Sequence, residues 1–82
     1  MSLQWEVLSF GEKRAKDGIY EFIVWGSPNP ERDSELRVIR KDNVGGMIVP
    51  FQDLTIYVKD EAAGVRLANK LSKAFSRASR RY

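Results

Sequence analysis

Apolar and β-branched positions recur at short, strand-like intervals up to about residue 60, and beyond it the spacing becomes that of an amphipathic helix. Five strands are expected, over 3–10, 18–25, 35–41, 46–51 and 54–59, with a helix over 61–80. The charged stretch 11–17 ends in Asp17-Gly18 and reads as an exposed loop. So does the segment carrying Pro28 and Pro30, since proline cannot donate to a central ladder. Asp42-Asn43-Val44-Gly45-Gly46 reads as a hairpin turn, because Asn and Gly accept the positive φ that tight turns require. Pro50 is expected to bend or interrupt the fourth strand.

The helix has the clearest signals. Asp60 can accept backbone N–H bonds as N-cap, Glu61 suits the positive end of the dipole, and basic residues crowd the far end; Gly64 is the weak point. On a helical wheel Leu67, Leu71, Ala74, Phe75 and Ala78 form the buried face, with Asn69, Ser72, Ser76 and Ser79 filling another third. Strands followed by one helix give an α+β fold: an antiparallel β-meander or partly open barrel of four to five strands, followed by one C-terminal amphipathic helix packed on one face. The whole chain, 1–82, is expected to be a single domain.

Assigning the more apolar side of each strand to the helix-covered core selects Trp5, Val7, Tyr20, Phe22, Val24, Leu36, Val38, Leu54, Ile56 and Val58. The other side carries Leu8, Phe10, Ile19, Ile23, Trp25, Arg37, Ile39, Lys41, Tyr57 and Lys59. That side is too apolar to be merely solvated. Ile23, Trp25, Ile39 and Tyr57 are therefore the candidate partner or homodimer surface.

Composition excludes much chemistry. The chain has no Cys and no His, so the usual zinc ligands, thiol nucleophiles and neutral-pH proton carriers are missing. Glu31, Asp33 and Glu35 flank a proline loop, where solvated charge is expected rather than the desolvated carboxylate of a catalytic pair. Gly45-Gly46 lacks both the lysine and the following helix of a phosphate-binding loop. No catalytic residue, metal site or cofactor is expected. The lack of disulfides, of a long apolar run and of a secretory leader points to a cytoplasmic protein, with a membrane partner unlikely.

Charge then sharpens the picture. Through Glu61 the chain carries 8 Lys plus Arg and 11 Asp plus Glu, whereas the last 21 residues carry 6 and none. At about 100° per residue, Arg66, Lys70, Lys73, Arg77, Arg80 and Arg81 fall on one stripe, expected to flank the buried face and stay exposed. A helix selected only for stability would interleave glutamates, because Arg66/Lys70, Lys73/Arg77 and Arg77/Arg81 are repelling i,i+4 neighbours. An unpaired cationic ridge suits polyphosphate, where each neutralised phosphate releases counterions. Lys13, Arg14 and Lys16 are expected to extend the positive field. The reading is a non-catalytic, sequence-nonspecific domain for single-stranded nucleic acid or a nucleic-acid backbone. The alternative is a protein-interaction module using the Ile23/Trp25 face.

The order of elements resembles that of the transcriptional coactivator domains in which a strand meander plus helix binds single-stranded DNA as a dimer. The stretch from Leu54 through Asp60 into the helix is similar to the end of a pleckstrin-homology-like domain, although the chain is two strands short of that fold. The first resemblance implies nucleic acid as ligand, and the second an adaptor role.

Overall fold

A computed structural model of the chain describes residues 3–8, 11–44 and 46–79; for 42–44, 47–52 and 76–79 it describes the backbone alone. Phe10, Arg80 and Arg81, and the side chain of Arg77, lie outside that description. The elements are β1 (Glu6–Val7), β2 (Glu12–Asp17), β3 (Tyr20–Trp25), β4 (Ser34–Val44), β5 (Met47–Val58) and α1 (Glu61–Ser79). The strands form one open antiparallel sheet in the order β1-β2-β3-β4-β5, a meander, with α1 on one face. The α+β architecture expected from the sequence is the one present.

Three elements differ from expectation. The stretch 12–17 is a strand, not a loop, although Ala15 is its one apolar residue. Its helix-facing positions find polar partners on α1 instead of apolar ones: Lys13 pairs with Glu61 at 2.5 Å, and the Ser72 hydroxyl donates to Asp17. Hydrophobic alternation is absent because ion pairing and hydrogen bonding replace it. β1 is only two residues long. The two strands expected over 46–59 are one strand of 12 residues, β5. Pro50 does not interrupt it: β5 lies at the sheet edge, and the register shifts opposite Arg40 and Lys41, so that Arg40 faces Gln52 while Lys41 faces Pro50.

Phe22, Val24, Leu36, Val38 and Ala68 form the buried centre, with Leu3, Trp5, Tyr20, Ile56, Val65, Leu67, Leu71 and Phe75 packed around it. Phe75 stacks on Tyr20 with ring centroids 4.2 Å apart. Val7 and Leu54, expected in the core, are 75% and 58% exposed. The cause is width. One helix, about 10 Å across, covers roughly two strand spacings of about 4.8 Å, and α1 packs chiefly over β4 and β3, leaving Val7 on β1 and Leu54 on β5 uncovered.

The local signals at the helix start operate as read. Asp60 Oδ1 accepts from the Ala63 amide at 2.8 Å, and its carbonyl accepts from the Gly64 amide at 3.1 Å. The β2–β3 turn is made by Gly18, at φ 61°, and Ile19, and Gly46, just before β5, has φ 84°.

Candidate nucleic-acid interface

The buried face of α1 is rotated from the expected one. Gly64, Ala68 and Ser72 are buried, while Ala74 is exposed. Ser72 turns inward because Asp17 of β2 accepts its hydroxyl, and Asn69 beside it accepts the Leu3 amide at 3.0 Å. The helix is thus seated on Gly64, Ala68, Leu71, Ser72 and Phe75. About 180° from the middle of that set stand Arg66, Lys70 and Lys73, all exposed. The stripe does not flank the core face; it forms the crest of the helix, as far from the sheet as side chains can be.

The backbone of Arg77 continues the same stripe, and Arg66 and Arg77 are separated by 11 residues, about 16 Å along the axis. Among the described residues, no carboxylate lies within ion-pair distance of Arg66, Lys70 or Lys73. Glu61, the acidic residue of the first helical turn, is drawn aside to Lys13.

The cations of the sheet behave differently. On the face away from α1, Arg14 pairs with Glu6 at 2.9 Å, Arg37 with Asp53, and Lys41 with Glu21. Arg14 holds the Glu6 carboxyl below its ordinary value through a hydrogen bond and its charge, and Glu6 raises the guanidinium in return. Asp53 likewise raises Arg37. Lys13 and Arg14 therefore do not extend the positive field of the helix, and Lys16, exposed on β2, lies with Arg14 on the face away from α1. Lys13 and Arg14 are strand residues, pointing to opposite faces, and each is neutralised.

Ile23, Trp25, Ile39 and Tyr57 share that second face, as the register requires: Glu12, Trp25, Glu35 and Tyr57 form one cross-strand row, and Arg14, Ile23, Arg37 and Thr55 the next. Tyr57 is 68% exposed, whereas Ile23, Trp25 and Ile39 are half-buried among their charged neighbours. Two shallow depressions of about 260 and 390 Å³ lie on either side of Trp25. Glu12, Ile23, Glu35 and Arg37 line the first, and Arg32, Asp33, Glu35 and Tyr57 the second. This face interleaves opposite charges, so it has no net attraction for a polyanion.

Glu21 was not singled out from sequence, where it reads as one more surface carboxylate. It is 6% exposed and depends on Lys41 for its counter-charge. The hint was its place between Tyr20 and Phe22 on the central strand. No group of acidic residues among those described is arranged to hold a metal ion, and none of the described helices is long and apolar enough to cross a membrane. The chain matches no family model, no curated protein and no solved structure.

Proposed function

We propose that the protein is a small non-catalytic domain that binds nucleic acid through its phosphate backbone, single strands included and without sequence specificity. Arg66, Lys70 and Lys73 carry the contact, with Arg77, Arg80 and Arg81 as further members of the sequence stripe. One observation supports this above all: the sheet cations Lys13, Arg14, Arg37 and Lys41 are each matched by a carboxylate and Lys16 stands singly, while the crest of α1 presents three cations in line with no carboxylate in reach among the described residues. Internal pairing leaves nothing to bind a polyanion, whereas free cations along one line release counterions when they meet one. Reversing the crest tests the reading. Arg66→Glu, Lys70→Glu, Lys73→Glu should abolish retention of a labelled single-stranded oligonucleotide, and Trp25→Ala should leave it unchanged; equal binding by the triple variant would overturn the proposal.

The Trp25 face favours a second reading, that of a protein-interaction module. Its depressions place an indole and a phenol beside Glu12, Asp33 and Glu35, for which no ion-pair partner lies among the described residues. Under that reading Trp25→Ala abolishes partner capture and the helix charges are dispensable.

A further inference from the structure

The sheet has two edges of very different quality. β1, at one side, is two residues long, which blunts it; β5, at the other, runs for 12 residues and has β4 alone as a described neighbour. A long edge presents a row of main-chain donors and acceptors to any strand that can align with it, and proteins normally guard such edges with proline, bulges or charge. β5 carries its guards at its beginning, in Pro50 and the register shift next to it. Beyond them, Asp53 to Val58 pairs regularly with β4 and leaves its outer side open. Of the large hydrophobic residues exposed in the described part of the chain, two sit on this stretch, Leu54 on the helix side and Tyr57 on the opposite face.

We infer that β5 is the seam of a homodimer, in which residues 53–58 of two copies, with Lys59 immediately past the strand end, pair antiparallel about a two-fold axis at Ile56. The argument is self-complementarity. Directly opposite residues of an antiparallel pair share a face, so a two-fold axis normal to the sheet must pass through a residue, not between two. Centred on Ile56, Asp53 of each copy faces Lys59 of the other, Leu54 faces Val58, and Thr55 faces Tyr57. Both charges of the segment are then matched twice, and both exposed hydrophobic residues gain a cross-strand neighbour. Centred on Thr55, Asp53 faces Tyr57; centred on Tyr57, Lys59 faces Thr55; neither matches charge. Asp53 already holds Arg37, so the added Lys59 places that carboxylate between two cations.

The dimer is a continuous ten-stranded sheet with both helices on the same face. Since α1 lies over β3 and β4, each helix stands two strand spacings, of about 4.8 Å each, from the two-fold axis, which puts the two helices roughly 20 Å apart, their crests facing the same way. This goes beyond the nucleic-acid reading and stands without it, being measured with no nucleic acid present. A seven-residue seam buries less than a standard interface of about 1,600 Å², so dimerisation should depend on concentration.

The chain has no cysteine, so introduced thiols report the register directly. Directly opposite residues of an antiparallel pair lie about 4.5–5.5 Å apart at Cα, within the roughly 4.4–6.8 Å that a disulfide spans. An equimolar mixture of Thr55→Cys and Tyr57→Cys chains should oxidise to a covalent heterodimer, while either chain alone cross-links far less. In sedimentation, the unmodified chain should move from monomer to dimer with rising concentration, and Lys59→Glu, which sets Glu against Asp53, should weaken dimerisation by about tenfold. Monomer at every concentration, or equal cross-linking in mixed and single samples, would overturn the inference. A dimer insensitive to Lys59→Glu but broken by Trp25→Asp would also overturn it, by placing the seam on the open face.

Discussion

Individual side chains explain why the two faces of the sheet differ in charge. Glu21 is the sharpest case, a carboxylate buried at the centre of the sheet and compensated by Lys41. Burial of a charge is tolerated where a partner supplies hydrogen bonding and counter-charge, and removing that partner leaves the penalty standing. Lys41 is itself about one-third exposed, so water recovers part of the loss. Lys41→Ala should therefore destabilise the fold by about 1–3 kcal/mol, read from the urea midpoint. Glu21→Gln, Lys41→Met, which removes both charges, should recover much of that loss. An unchanged midpoint in Lys41→Ala would show that Glu21 is solvated. The exposed pair Arg14 and Glu6 adds little by comparison, because water screens it. Its sign is fixed nonetheless: Glu6 has a lowered pKa, so what it contributes is present above its unfolded pKa, near 4.5, and fades as pH falls through the lower folded value.

The elements show which patterns the sequence made legible. β3 is a short run of aromatic and β-branched residues, β4 alternates over Leu36, Arg37 and Val38, the proline segment is a loop, and Asp60 caps α1, all readable from residue pattern and capping chemistry. β2 was not legible, because Lys13 and Asp17 stand where alternation demands apolar residues and their partners Glu61 and Ser72 lie on α1. The rotation of α1 has the same origin, since Ser72 and Asn69 look solvated until Asp17 and the Leu3 amide are placed beside them. Gly64 looked like a defect of the helix and is a point of closest packing: a Cβ there would come within 3.0 Å of Val24 Cγ1 and 3.4 Å of Val58 Cγ2. Val24 is fully buried and, being β-branched, has little rotamer freedom with which to yield. Gly64→Ala gains roughly 1 kcal/mol of helix propensity but overpacks the contact by about 1–3 kcal/mol. The expected outcome is a lower thermal midpoint; a raised one would show that the helix can lift from the sheet at no cost.

For the whole molecule, the excess of positive charge is a matter of placement more than amount. The formal net charge is only +3, yet 6 cations and no acid follow residue 61, and four of the sheet's cations, Lys13, Arg14, Arg37 and Lys41, are paired within the fold. Helical spacing puts Arg66, Lys70 and Lys73 on one exposed line, but does not give their position opposite the sheet, which depends on the inward turn of Ser72. The open Trp25 face lies on the other side of the sheet, so one ligand cannot span both. If the crest binds phosphates, affinity must carry the signature of released counterions. The most direct measurement is fluorescence anisotropy of a labelled single-stranded oligonucleotide titrated with the protein across a range of salt concentrations. Three to six phosphate contacts predict that log affinity falls against log salt with a slope of about −2 to −4, flattening towards zero in the Arg66→Glu, Lys70→Glu, Lys73→Glu variant. Binding that is indifferent to salt, or a slope unchanged by the three reversals, would contradict the account.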